Sequence, residues 1–91
     1  MILQTISVIV KGKVQGVYYR QSTREQARIL QITGTVKNLQ DGNVQIIATG
    51  TEEQLGQFTT WCRQGPSRAV VTDLIITPLS LQSFNDFSII R

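Results

Sequence analysis

Ile6, Val8 and Val10 alternate with Thr5, Ser7 and Ile9. That alternation predicts a first strand, Ile6 to Val10, with one well-buried face. The run Gly12-Lys13-Val14-Gln15-Gly16-Val17-Tyr18-Tyr19-Arg20 follows as a loop whose two glycines let the backbone turn tightly. From about Arg20 to Leu30 good helix formers predominate, with Ala27 and Leu30 as inward positions. Ser22-Thr23-Arg24-Glu25 has the form of a capping box. With Ser22 as N-cap, Arg20 lies just outside the helix. With a start at Tyr19 or Arg20, Ser22 and Glu25 are merely surface neighbours. The residues leave both starts open.

Gly34 to Gln40 reads as a second strand and Asn43 to Thr49 as a third, joined by Asp41-Gly42, a strong hairpin signal. Val44, Ile46 and Ala48 share one face of the third strand. Thr51-Glu52-Glu53-Gln54 is a second capping box, better placed than the first, and Leu55, Phe58, Trp61 and Cys62 recur at helical spacing behind it. Gly65 and Pro66 stop that helix. Ala69 to Thr77 is β-branched and apolar, a fourth strand. Pro78 to Gln82 reads as a loop. Phe84 to Arg91 carries Phe87 and Ile89 at strand spacing, a short final strand.

The order β-α-β-β-α-β with an added strand predicts an α+β, ferredoxin-like sandwich with both helices on one face of the sheet. The right-handed crossover rule puts the first strand beside the third, in the centre. The C-terminal end of the first strand is then expected near the start of the second.

At 91 residues the chain forms a single domain, residues 1–91, with one core. No apolar run is long enough to span a membrane. Met1-Ile2-Leu3-Gln4 lacks the features of a signal peptide, so a cytoplasmic protein is expected. Cys62 is the only cysteine and there is no histidine. No internal disulfide, Ser-His-Asp triad, Cys-His pair or ordinary zinc site can form. Catalysis falls to arginine, lysine, carboxylates, amides, hydroxyls and backbone. The net charge of +3 favours anionic ligands by steering. No Lys/Arg cluster marks a nucleic-acid patch.

The loop-to-helix junction is the chemically informative part. Backbone N–H groups there have no partner inside the helix and carry the positive end of its dipole, which suits a phosphate. Arg20 adds a planar cation with a bidentate fork. Gln15, Gly16, Val17, Tyr18, Tyr19 and Arg20 thus form a candidate cradle. Taken alone, Arg20 is a surface helix residue, Asn38 a mid-strand polar residue facing solvent, and Gly16 a turn glycine. Lys37 points to the face opposite Asn38. Leu55, Phe58, Trp61 and Cys62 belong to the core.

Gly12 to Arg20 also match the pattern G-x-V-Q-G-V-x-F-R, with Tyr19 in place of phenylalanine. Gly34-Thr35-Val36-Lys37-Asn38, followed by Gly42, Val44 and Gly50, match a second pattern, G-aromatic-V-K-N-x-x-x-G-x-V and a later glycine. Through these two signatures the whole chain resembles the acylphosphatase family. The resemblance implies metal-free hydrolysis of carboxyl-phosphate anhydrides such as acetyl phosphate or 1,3-bisphosphoglycerate, without a phosphoenzyme. It implies a monomer acting on a small molecule, with inorganic phosphate as product inhibitor. It makes Arg20 and Asn38 catalytic and Gln15 to Arg20 the phosphate loop. Three departures stand out. Thr35 replaces an aromatic, Gln31 replaces a glycine at the end of the first helix, and Tyr18 and Tyr19 put two phenols beside the cradle.

An acyl phosphate carries a good leaving group, so its hydrolysis needs positioning and charge stabilisation more than covalent help. Asn38 has an amide that both accepts from water and donates. Two other classes compete. One is a ferredoxin-like RNA-binding module, for which Val44 to Thr49 offer no aromatic and no cation, hence no stacking platform. The other is a small-anion binder without turnover.

Overall fold

The computed structural model describes residues 2–90. The elements run β1 (Gln4–Lys13), α1 (Tyr19–Ile29), β2 (Thr33–Asn38), β3 (Val44–Gly50), α2 (Glu52–Gln64), β4 (Val70–Leu79) and β5 (Phe87–Ile90). The strands form one sheet in the order β4-β1-β3-β2-β5. β2 and β5 are parallel, and every other neighbouring pair is antiparallel. This is the ferredoxin-like sandwich with an extra C-terminal strand. Val8, Val10, Val36, Val44, Ile46 and Phe87 of the sheet share a single buried cluster with Ala27 of α1 and Leu55, Phe58 and Cys62 of α2. Among the described residues no helix is long and apolar enough to cross a membrane.

Several element ends differ from the sequence reading, each for a local reason. β1 is longer at both ends, because it continues along β4 past a bulge at Lys11/Gly12 to the pair Lys13–Val70. Gly12 has φ +126, and a side chain there would strike the Val70 carbonyl oxygen, so the bulge depends on glycine. β4 runs through Pro78, which was expected to open a loop. β4 is an edge strand, where the missing N–H of proline breaks no ladder. β2 ends at Asn38, two residues early, because Leu39 and Gly42 close the hairpin turn. Phe84 to Asp86 lie outside β5, and the expected end of that strand at Arg91 lies outside the described residues.

The first helix starts at Tyr19, so Ser22 and Glu25 form no cap. Its buried stripe is Tyr19, Thr23 and Ala27, four residues apart, while Leu30 is half-buried. Gln31 takes the left-handed φ of +60 that a glycine would adopt there. Ile32 N–H donates to Ala27 O at 2.8 Å and Gln31 N–H to Arg28 O at 3.1 Å. That pair of bonds is a Schellman close, built without glycine. The second capping box is present: Gln54 N–H donates to Thr51 Oγ1 and Thr51 N–H to Gln54 Oε1.

One expectation about the sheet is reversed. Val44 of β3 pairs with Val10 on one side and Asn38 on the other. β1 and β2 both run antiparallel to β3, so they run parallel to each other. It is therefore the end of β2, not its start, that lies level with the end of β1. Asn38 also alternates with Lys37 and shares the face of buried Val36. Its side chain faces the helix layer rather than open solvent. The far face of the three central strands carries Ile9, Gln45 and Lys37 in one row and Ser7, Ile47 and Thr35 in the next, none of them aromatic.

Candidate active site

Three chain segments meet where β1 and β2 end. Val14 and Val17 are buried and pin the loop after β1 into the core. Between them the Gln15 amide Nε2 donates to Leu39 O and to Asn43 O, each at 2.8 Å. The loop is thereby tied to the β2–β3 hairpin one residue beyond Asn38. Gly16 (φ +75) and Tyr18 (φ 62) both take left-handed backbone, and Tyr18 is the N-cap of α1 with no side-chain cap bond. The N–H groups from Gly16 to Gln21 find no acceptor among the described residues. They form a run of free donors at a helix N-terminus, with no acidic residue in the first turn to compete for it.

A cavity of about 440 Å³ opens on these donors. Gly16, Tyr18, Tyr19, Arg20 and Gln21 line one wall, with Val14, Asn38, Ile89 and Arg68 completing it. Arg20 is half-buried. The only ion pair among the described residues joins Arg28 to Asp86 at 2.8 Å, so both cavity guanidiniums lack an anionic partner. Among the described residues no carboxylate lines the cavity. Asn38 Oδ1 is buried and has no hydrogen-bond donor. Unpaired buried acceptors are rare in native proteins and mark places where a water or ligand is expected.

Tyr19 fixes this end of the molecule. Its hydroxyl donates to Cys62 O at 2.8 Å, and its ring lies 5.7 Å from that of Trp61. Burial holds its pKa far above the ordinary tyrosine value, with Cys62 adding to the effect. The phenol expected beside the cradle is therefore a structural bolt from α1 to α2. Gly65 packs flat on the same ring, where a Cβ would sit 2.8 Å from Cε2. The turn that follows, closed by Ala69 N–H donating to Pro66 O at 3.0 Å, carries Arg68 to the cavity mouth. At a distance from the cavity, a hydrogen bond from the Phe87 backbone and then the Arg28 guanidinium lower the pKa of Asp86.

Of the residues proposed from sequence, Gly16, Tyr18, Tyr19, Arg20 and Asn38 come together around the cavity. Gln15 and Val17 do not line it: the first spends its side chain on the hairpin and the second is buried in the core. Arg68, Gln21 and Ile89 were not anticipated. Arg68 lies two residues before β4, and it is the pairing of that strand with the end of β1 that brings it here. No group of three or more His, Cys, Asp or Glu residues is placed to hold a metal ion among the described residues.

The family sequence model described as Acylphosphatase matches residues 6–89. The chain is 51% identical over 81 residues to an acylphosphatase of Marinobacter nauticus, covering 88% of each chain. The solved acylphosphatase of Bacillus subtilis superposes with a TM-score of 0.94 at 36% identity, covering 99% of this chain and 100% of the other. That of Coxiella burnetii superposes with a TM-score of 0.92 at 38% identity, covering 96% and 92%.

Proposed function

The chain belongs to the acylphosphatase family and hydrolyses acyl phosphates; on that premise we propose that the cradle and Arg20 hold the phosphoryl group while Asn38 holds the attacking water. The free N–H groups from Gly16 to Arg20 take the non-bridging oxygens, and the Arg20 fork follows the charge that grows on them in the transition state. The Asn38 amide accepts from one water hydrogen. Its χ2 is a soft torsion, so a small turn presents the now unpaired Oδ1 to the cavity. The water oxygen bonds to phosphorus as the bond from phosphorus to the acyl oxygen breaks. The electron pair leaves with the carboxylate, and the water proton passes to a phosphoryl oxygen. Gln15 acts through the hairpin, holding the cradle and Asn38 in register. Every group in this scheme comes from one chain, so a monomer suffices, and inorganic phosphate competes for the cradle.

The observation that carries this reading is the convergence, in one cavity, of unpaired donors on the loop and an unpaired acceptor on Asn38. Benzoyl phosphate hydrolysis in EDTA tests it. Removing a single oxyanion donor elsewhere costs about 100-fold or more in kcat, and a loss of that order is expected for either variant. Arg20→Ala should lose phosphate inhibition as well as turnover. Asn38→Ala should lose turnover and keep phosphate inhibition. Near-native turnover by Asn38→Ala would remove the water-holding role.

A further inference from the structure

We propose that Arg68 is a specificity residue that binds a second anionic group, carboxylate or phosphoryl, on the acyl arm of the substrate. The inference rests on the phosphoryl and water placement above. In phosphoryl transfer the attacking and leaving oxygens lie roughly in line, on opposite sides of phosphorus. Asn38, the water side, ends β2. Arg68 sits two residues before β4 begins. The sheet order puts β4 against one side of β1, and β2 beyond β3 on the other side. An acyl arm leaving opposite to the water therefore points towards Arg68. The two cavity guanidiniums also differ in depth. Arg20 is half-buried beside the cradle, whereas Arg68 is exposed, so Arg68 meets the far end of the arm rather than the leaving oxygen. No carboxylate in the lining and no ion pair among the described residues neutralises it. A forked cation held by a closed turn and left without a partner suits a planar carboxylate or a phosphoryl group.

Rigid aromatic substrates test this. Benzoyl phosphate, 4-carboxybenzoyl phosphate and 4-phosphonobenzoyl phosphate share one leaving group and differ in the charge at the far end. The quantity read is kcat/KM for each charged compound divided by that for benzoyl phosphate. Comparing this ratio between wild type and variants cancels intrinsic reactivity. Arg68→Gln should lower it about fivefold, the scale of a partly exposed charge pair, mainly through KM. Arg68→Lys should restore part of it, and added salt should shrink the wild-type preference. Whichever charged compound suffers more identifies the anion that the site reads. Arg63→Gln removes the same charge from an exposed position outside the cavity lining and should leave the ratio alone. An unchanged ratio in Arg68→Gln, an equal fall in Arg63→Gln, or an equal loss on all three substrates would each overturn the assignment. Failure of wild type to hydrolyse benzoyl phosphate would instead bring down the hydrolytic reading, and this one with it.

Discussion

Gln15 matches the family pattern yet touches no part of the cavity, and its predicted effect separates positioning from binding. Its Nε2 makes two bonds of 2.8 Å, to Leu39 O and Asn43 O. Both carbonyls also accept elsewhere: Asn43 O from Leu39 N–H at 2.8 Å and Leu39 O from Gly42 N–H at 3.3 Å. Gln15→Leu therefore orphans neither acceptor outright. At roughly 0.5–1.5 kcal/mol net per bond, losing both should cost about 1.5 kcal/mol. For a domain of this size that is a drop in Tm of roughly 6–12 °C. The functional cost comes through Asn38, the residue before Leu39. A misplacement of about 1 Å in a reacting group can cost on the order of 100-fold in rate, so kcat should fall at least about tenfold well below the melting temperature.

Thermal unfolding and saturating benzoyl phosphate turnover measure the two effects on the same samples. Gln15→Glu sharpens the test. A carboxylate has no donor for the two carbonyl oxygens and repels both, so it should be more destabilising than leucine. A leucine variant with native Tm and native kcat would show that the tether does not set the register. A glutamate variant more stable than the leucine one would show that the amide is not the donor.

Gln31→Gly should raise stability by about 0.5–1 kcal/mol, because the left-handed φ of +60 strains any residue with a Cβ; a lower urea midpoint with glycine would mean that the Gln31 side chain contributes more than the strain costs. Alkaline pH should destabilise the protein, since burial pushes the Cys62 thiol up to about 12, while a thiol in the unfolded chain ionises at about 8.5–9. The folded value is the higher one, so its contribution is complete below about pH 8.5 and is lost by up to ~1.4 kcal/mol per pH unit as pH rises towards 12. Tyr19, shifted the same way, adds to the loss above about pH 10. Urea midpoints from neutral pH upward should therefore fall, and Cys62→Ala should flatten the first part of the fall; a flat wild-type profile would refute the protected thiol.

Much of the fold was legible because hydrophobic period, turn chemistry and capping agreed. Asp41-Gly42, the Thr51 capping box and the Leu55-Phe58-Cys62 stripe each specify local structure with local residues. The errors fall where distant pairing decides. Gly12 needs the Val70 carbonyl against it before its bulge exists, and Pro78 is tolerated only because β4 turns out to be an edge. Arg20 and Asn38 were identifiable as candidates because each belongs to one of the two sequence signatures that carry the family resemblance. The Gln15 tether and the place of Arg68 were not legible because these side chains reach across the fold, one to a hairpin 24 residues away, the other to the mouth of a cavity formed by three further segments.

The position of Asn38 depends on one topological fact. A strand pair antiparallel to a common neighbour runs parallel, so the ends of β1 and β2 coincide on either side of Val44. The loop after β1 leads into α1 and so presents a helix N-terminus at that level. The last residue of β2 meets it from the helix-facing side of the sheet. A cationic, donor-rich cradle and a neutral amide are thus brought together by chain connectivity alone. Because, among the described residues, neither a carboxylate nor an imidazole joins them, that lining has no ordinary general base. In the proposed scheme the water proton therefore goes to the substrate's own phosphoryl oxygen. Such transfer is sufficient only where the leaving group is already a weak base, and an acyl phosphate, which releases a carboxylate, meets that condition.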